Sequence, residues 1–377
     1  MRKEQITDKT LKYFSPDIKI AVVGAGPFGY MNSRHLGELG FEHFLYDIDK
    51  KIITGLQHEG KHPYHFRQLR MNKNVRPTAD LEEAVHDADL VVMAVSSQFV
   101  RNAARDIAQY LKKYAVILDL AKGLELGENN AEGKAKVLSE VIREEINEKG
   151  LADGLNCHIA AAGGGMFASD MARGGEVYIT MASGNANVAE DLCNIFKAHD
   201  YYTQPWHDRT GVELIGAIKN VKAISDGIGR ELRKTLSSRA GFLSAYSREM
   251  KEMVCLLGGK PETFDIGVYA CGGDVMATCM GNKSRNLEFG RRLVRGRKEG
   301  KSPAGVYEEM RTERKTVEGY AATKAFHNIV KDPDMKIKMG GNSAVFPLLT
   351  QTYRILYENK DPRTAIECLR RYAGMHR

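Results

Sequence analysis

No apolar run in the 377-residue sequence reaches the ~18 residues that a membrane-spanning helix needs, so no membrane span is expected. The opening Met1–Asp17 segment lacks the apolar stretch of a secretory signal, and it is not the acid-free, Arg-rich kind of a transit peptide. The six cysteines, Cys157, Cys193, Cys255, Cys271, Cys279 and Cys368, include no C-x-x-C pair. They read as reduced thiols of a cytoplasmic protein, not as a disulfide framework or a metal site. There is no internal repeat, and no basic stretch interleaved with aromatics as a nucleic-acid surface requires. The positive excess is small, 55 Lys and Arg against 48 Asp and Glu, a net charge of +7. It suits an anionic substrate and is modest for a nucleic-acid binder. The densest basic run, Arg291 to Lys301, reads as a solvated helix end, with a binding surface as the alternative.

What is present is the composition of a soluble globular protein, 43% hydrophobic and 27% charged, which excludes disorder along the whole chain. The length suits two domains, each able to bury its own core. The 37 glycines gather in short clusters, Gly24-Ala25-Gly26, Gly163-Gly164-Gly165 and Gly272-Gly273, and so mark backbone-defined sites rather than a flexible tract.

The first half alternates strand-like and helix-like segments. Strands are expected at Ile18–Val23, His43–Tyr46, Asp89–Val95, Ala115–Leu120, Cys157–Ala162 and Glu176–Ala182. Helices are expected from Phe28 to about Leu39 and from Gln98 to Lys113. That alternation implies βαβ units and a doubly wound parallel sheet. After about Trp206 the segments are helical in period: Glu213–Ile228, Arg239–Leu257, Asn286–Arg297 and Ala321–Ile329. The expected fold is therefore α/β, a Rossmann domain followed by an all-helical domain. The expected boundaries are a polar extension over residues 1–17, a dinucleotide-binding domain over 18–205 and a helical catalytic domain over 206–377.

Gly24-Ala25-Gly26-Pro27-Phe28-Gly29 fits G-x-G-x-x-G directly after a strand and before a helix. Gly24 permits the tight turn, Gly26 lets the backbone approach a pyrophosphate, and Gly29 lets helix and strand pack closely. The helix start then offers free N–H groups to phosphate. Asp47, 18 residues after Gly29 at the end of the second strand, can accept from a ribose 2′-OH and would repel a 2′-phosphate. This favours NAD over NADP, with Asp49 as the competing acid. Lys219 sits in an apolar helical stretch, where an amine is either a buried proton donor or a snorkelling side chain. Asp274 follows two glycines and reads as a site carboxylate, a turn acid or a helix cap.

In order along the chain, several segments resemble one family. They are Ala94-Val95-Ser96-Ser97-Gln98-Phe99-Val100-Arg101, Ala121-Lys122-Gly123-Leu124-Glu125, Gly211 to Val221, Gly273-Asp274 through Thr278-Cys279, Ser284-Arg285-Asn286 with Phe289-Gly290, and Val317-Glu318-Gly319. They are similar to the soluble NAD(P)-dependent sn-glycerol-3-phosphate dehydrogenases, from about Ile18 to Arg363. The resemblance implies an NAD-dependent oxidoreductase that interconverts sn-glycerol 3-phosphate and dihydroxyacetone phosphate. It implies Lys219, Lys122 and Asp274 as catalytic groups. It places Gly24, Gly26, Phe28, Gly29, Asp47, Lys122, Ala168, Arg285 and Glu318 at the cofactor. It places Lys122, Gly164, Lys219, Asn220, Asp274, Ser284, Arg285 and Asn286 at the substrate. A hydroxyl, a guanidinium and an amide in Ser284-Arg285-Asn286 suit a phosphate monoester. No metal is implied, and a homodimer is expected from the helical second half.

The chain departs from the family where [SA]-G-P-[ST]-F-A-x-E stands as Gly163-Gly164-Gly165-Met166-Phe167-Ala168-Ser169-Asp170. Gly165 replaces proline, and Met166 replaces a hydroxyl residue that holds substrate in the family. The chemistry is therefore better specified than the substrate. Another phosphorylated or phosphonate keto compound is the alternative substrate, and a non-catalytic nucleotide-binding regulator is the alternative of a different class.

Overall fold

Short β-branched and apolar runs form the strands of the first half, and alternate side chains of each run feed opposite faces of one sheet. Ile20 and Val22 join one buried cluster while Ala21 and Val23 join the other, and Leu90/Val92 against Val91/Met93 repeat the division. A strand buried on both faces must be apolar throughout, which is why these segments read as continuous runs. The computed structural model describes residues 11–127, 134–147, 155–232, 235–282, 284–313, 315–332, 335 and 346–375, with side chains to 369. The first ten residues of the expected polar extension lie outside them.

The chain divides into two compact units, each discontinuous in sequence. One is Met1–Lys122, Val137–Glu213 and Ile266–Gly273, and the other is Gly123–Lys136, Leu214–Asp265 and Asp274–Arg377.

The first unit holds an eight-stranded sheet. Its strands are β1 (Ile20–Val23), β2 (His43–Tyr46), β3 (Val75–Thr78), β4 (Leu90–Met93), β5 (Val116–Asp119), β6 (His158–Gly164), β7 (Val177–Ser183) and β8 (Tyr201–Trp206), in the order β8-β7-β6-β5-β4-β1-β2-β3. Ile20 lies beside both His43 and Leu90 in parallel register. The β6–β7 pair is antiparallel, with Ala162 opposite Met181, and β8 returns parallel to β7. The run β3-β2-β1-β4-β5-β6 is the doubly wound order, and its winding reverses between β1 and β4. Two strands of this sheet had no sequence expectation, β3 and β8. They are the sheet's two edges, and they carry Pro77 and Pro205, which only an edge tolerates. Gln204-Pro205-Trp206, where the sequence pattern changes, is the end of β8.

Helices α1 (Pro27–Glu38), α2 (Lys50–His58), α3 (Leu81–Val85), α4 (Val100–Ala108), α5 (Leu138–Ile146), α6 (Ala168–Met171) and α7 (Ala186–Phe196) connect these strands. Asp49 and Asn185 accept from backbone N–H groups of the first turns of α2 and α7, which fixes where those helices begin.

Helix α8 (Arg209–Glu231) carries the chain from the first unit into the second, which contains α9 (Leu236–Leu256), α10 (Asp274–Met280), α11 (Arg285–Lys298), α12 (Pro303–Thr312), α13 (Glu318–Lys331), α14 (Pro347–Tyr357) and α15 (Pro362–Met375). Its core includes Ile224, Ile228, Phe289, Leu293 and Met310. Helices α8 and α11 meet backbone to backbone. A Cβ on Gly227 would lie 2.1 Å from the Leu287 carbonyl oxygen, and one on Gly290 would lie 2.1 Å from that of Ile224. Only two glycines permit this crossing, and it fixes the start of α11 against the middle of α8.

Candidate active site

In the first unit the loop after β1 is shaped by backbone contacts. Gly24 has φ +104°, a region that side chains disfavour, and its N–H donates to the Tyr46 carbonyl at 2.8 Å. A Cβ on Gly29 would fall 1.9 Å from the Gly24 carbonyl oxygen and 2.9 Å from the Ala94 methyl. Helix and loop can therefore close on β4 only if residue 29 is glycine. A Cβ on Gly26 would meet nothing within 4 Å. Gly26 is the N-cap of α1 and supplies no capping side chain, so the first-turn N–H groups are left to another acceptor. This open space before a helix start, at the carboxyl ends of β1 and β4, fits a dinucleotide pyrophosphate. Phe28, the second residue of α1, is half-buried against the core.

Asp47 accepts from Ala25 N–H at 2.6 Å and from Asp49 N–H at 2.8 Å, so it braces the glycine loop from the end of β2. Asp49, the competing acid, caps α2 by accepting from Lys51 N–H at 2.9 Å. One residue had no role in the sequence reading. His62 is fully buried, and its Nε2 lies 2.9 Å from the Ala25 carbonyl oxygen. Burial lowers the His62 pKa, so the ring is neutral.

Lys122 follows β5, and its ammonium donates to the Gly164 carbonyl at the end of β6 over 2.9 Å. Gly164 is sterically required, because a Cβ would lie 2.1 Å from the Tyr178 carbonyl oxygen on β7. Three residues before Lys122, Asp119 is buried with Oδ1 accepting from Ala121 N–H at 3.0 Å. Burial holds this carboxyl well above the usual range, and nearby Glu213 adds to the effect. Ala168 opens the short α6. Met166, which stands where the family has a hydroxyl residue, follows β6. Its side chain is buried in the main cluster of this unit, within 4.0 Å of the Tyr201 hydroxyl.

In the second unit, Lys219 on α8 is 4% exposed, and Asp274 at the start of α10 is 1% exposed. The Lys219 ammonium donates to the Asp274 carboxylate and, at 3.1 Å, to Thr278 Oγ1. The snorkelling alternative for Lys219 is thereby set aside, and the Asp274 carboxylate accepts from the lysine. Thr278 lies one turn beyond Asp274. Its place in the quoted motif was visible, but no role was assigned to it.

Next to Lys219 the expected polar residues form a closed network. Asn220 Nδ2 donates to Glu318 at 3.1 Å, Asn286 Nδ2 donates to Asn220 Oδ1 at 3.0 Å, and Gly319 N–H donates to Asn286 Oδ1 at 2.9 Å. The two segments that carry Asn286 and Glu318 are thus locked on α8. Ser284 caps α11 by accepting from Leu287 N–H at 3.3 Å, which leaves its own proton to donate. Arg285 is exposed and makes no hydrogen bond or ion pair among the described residues. The Ser-Arg-Asn segment therefore divides its work: asparagine holds the fold, serine caps, and the arginine fork is available for an oxyanion. Chemically, the second unit offers a buried ammonium able to donate a proton and an exposed guanidinium able to bind phosphate.

Residues 19–189 match the family model described as the N-terminus of NAD-dependent glycerol-3-phosphate dehydrogenase, and residues 208–367 match that of its C-terminus. The chain is 29% identical over 349 residues to the glycerol-3-phosphate dehydrogenase (NAD(P)+) of Clostridium botulinum (strain Eklund 17B / Type B), covering 93% of this chain and 96% of that protein. The enzyme of the same name from Maridesulfovibrio salexigens is 28% identical over 351 residues, covering 93% and 97%. Among solved structures, the glycerol-3-phosphate dehydrogenase of Coxiella burnetii superposes with a TM-score of 0.79 at 25% identity, covering 93% of this chain and 98% of that one. Among the described residues no helix is long and apolar enough to cross a membrane.

Proposed function

This chain belongs to the NAD-dependent glycerol-3-phosphate dehydrogenase family, and on that premise we propose that it transfers hydride between NAD(H) and the sn-glycerol 3-phosphate/dihydroxyacetone phosphate pair, with Lys219 as the proton donor. The nicotinamide, when bound, supplies or accepts the hydride. In the reducing direction the carbonyl carbon gains that hydride, and the developing alkoxide takes a proton from the Lys219 ammonium. In the oxidising direction the neutral amine takes the hydroxyl proton back. Asp274 holds the ammonium charged and Thr278 orients it, so the cation is already in place when negative charge develops on the substrate oxygen. Arg285 takes the phosphate, because its fork matches two phosphate oxygens and it makes no ion pair among the described residues.

The observation that carries this reading is the buried Lys219–Asp274–Thr278 cluster. Such a cluster costs desolvation and is hard to account for as a stabilising element alone. Asp47 supports a preference for NADH over NADPH, since a 2′-phosphate would meet its carboxylate. Equal kcat/KM for the two cofactors would remove that part of the reading. The substrate is tested by following NADH oxidation with dihydroxyacetone phosphate, dihydroxyacetone and a panel of keto acids. Efficient turnover is expected for the phosphorylated ketone alone. Equal turnover of dihydroxyacetone or a keto acid would overturn the assignment.

A further inference from the structure

His62 lies outside every motif discussed above, in the Gly60–Met71 segment between α2 and β3. That segment has little regular structure of its own, yet it is closed on itself: Met71 N–H donates to the Gly60 carbonyl at 2.8 Å. The Tyr30 hydroxyl of α1 ties it down by donating to the Leu69 carbonyl at 3.1 Å. At its centre the His62 ring is fully buried, with the Tyr30 ring edge-on at 5.3 Å.

The hydrogen bonds assign the tautomer. Nδ1 accepts from two backbone donors, Tyr64 N–H at 3.1 Å and His65 N–H at 3.2 Å, so it carries no hydrogen. The proton therefore sits on Nε2, which donates to the Ala25 carbonyl at 2.9 Å. That carbonyl belongs to the same planar trans peptide as the Gly26 N–H, and in such a unit the two groups point in opposite directions. Holding the Ala25 oxygen on His62 thus turns the Gly26 N–H the opposite way, at a residue whose Cβ would meet no protein atom within 4 Å. On the other side of the same residue, Asp47 holds the Ala25 N–H. The middle residue of the glycine loop is gripped at both its amide and its carbonyl, by side chains from two separate segments.

We propose that His62 is the positioning residue of the dinucleotide loop, fixing the peptide that presents the Gly26 N–H to the cofactor pyrophosphate. The inference rests on the reading of Gly24–Gly29 as the dinucleotide site. Orienting a donor before binding removes an ordering cost that would otherwise weaken affinity.

The test uses two amide replacements in the full-length protein. The Gln amide reaches the Nε2 position and can donate to Ala25, whereas the Asn amide reaches only the Nδ1 position. Both keep a polar group in the cavity. NADH dissociation constants are read by fluorescence titration, together with kcat and the substrate KM. His62→Asn is expected to weaken NADH about tenfold, the worth of one well-placed hydrogen bond, with kcat at saturating NADH and the substrate KM changing less than about twofold. His62→Gln is expected to restore most of the affinity. The proposal is overturned if His62→Asn binds NADH like the wild type. It is also overturned if the two variants are equally weak, or if substrate KM and NADH affinity fall together. Gly26→Ala separates the levels: if that variant binds NADH normally, the dinucleotide reading of the loop fails. If it loses NADH while His62→Asn does not, only the role of His62 fails.

Discussion

The glycine loop of the first unit and the lysine cluster of the second are built from opposite materials. The loop is made of backbone: its defining residues have no side chains, and its neighbours, Asp47 and His62, grip main-chain atoms. The cluster is made of side chains: an ammonium, a carboxylate and a hydroxyl, almost completely buried on two helices. A backbone site can bind one recurring group, the pyrophosphate, with little tuning. A side-chain site can hold a proton and release it. The contrast suggests that binding and chemistry are separately breakable.

The sharpest break is at Asp274. Asp274→Asn keeps the shape but strands a buried ammonium, and breaking such a pair costs about 3–5 kcal/mol. Denaturant unfolding should show that loss, and NADH affinity should be nearly untouched. A variant as stable as the wild type would mean that Lys219 is neutral in the resting protein. The loop breaks differently at two of its glycines. Gly29→Ala drives a methyl into the Gly24 carbonyl, so it should destabilise by about 1–3 kcal/mol and lose cofactor together. Gly26→Ala meets no protein atom, so its melting temperature should hold while NADH affinity falls. If Gly26→Ala also melts early, the space beside it is filled by protein and not by cofactor.

The smallest effect is common to both regions. His43 in β2 and His327 in α13 are held neutral by burial, each with its pKa lowered to about 4 from the ordinary 6.5. The unfolded chain takes up these protons first as pH falls. Their contribution is therefore full above pH 6.5 and is lost as pH falls toward 4. Melting temperatures across that window should fall with acid, and His43→Gln should flatten the profile. A profile unchanged in the variant would place the acid sensitivity elsewhere.

The same contrast explains what the sequence disclosed. Buried strands and the Gly24–Gly29 loop were legible because backbone geometry restricts residue type: runs of valine and isoleucine, and glycine where a Cβ would clash. Edge strands β3 and β8 were not legible, since half-exposed strands with a proline resemble loops. The second unit was legible as helices by period. Its chemistry was not, because one lysine in an apolar helix fits two environments, and only the ordered family motifs singled out Lys219. Thr278 sat in view without a role, since a threonine one turn from an acid has no pattern of its own. His62 left no trace at all: its function depends on a loop whose conformation no local spacing announces.

The separation of binding from chemistry is tested most directly by Lys219→Ala, with NADH affinity and kcat for dihydroxyacetone phosphate measured on the same preparation. Loss of the proton donor and its charge should lower kcat by roughly 10²–10⁴-fold, while the NADH dissociation constant stays within about twofold of the wild type, as expected of an interaction made only in the transition state. Retention of more than about a tenth of the wild-type kcat would contradict the role assigned to Lys219, and loss of NADH binding in this variant would contradict the division of labour between the two units.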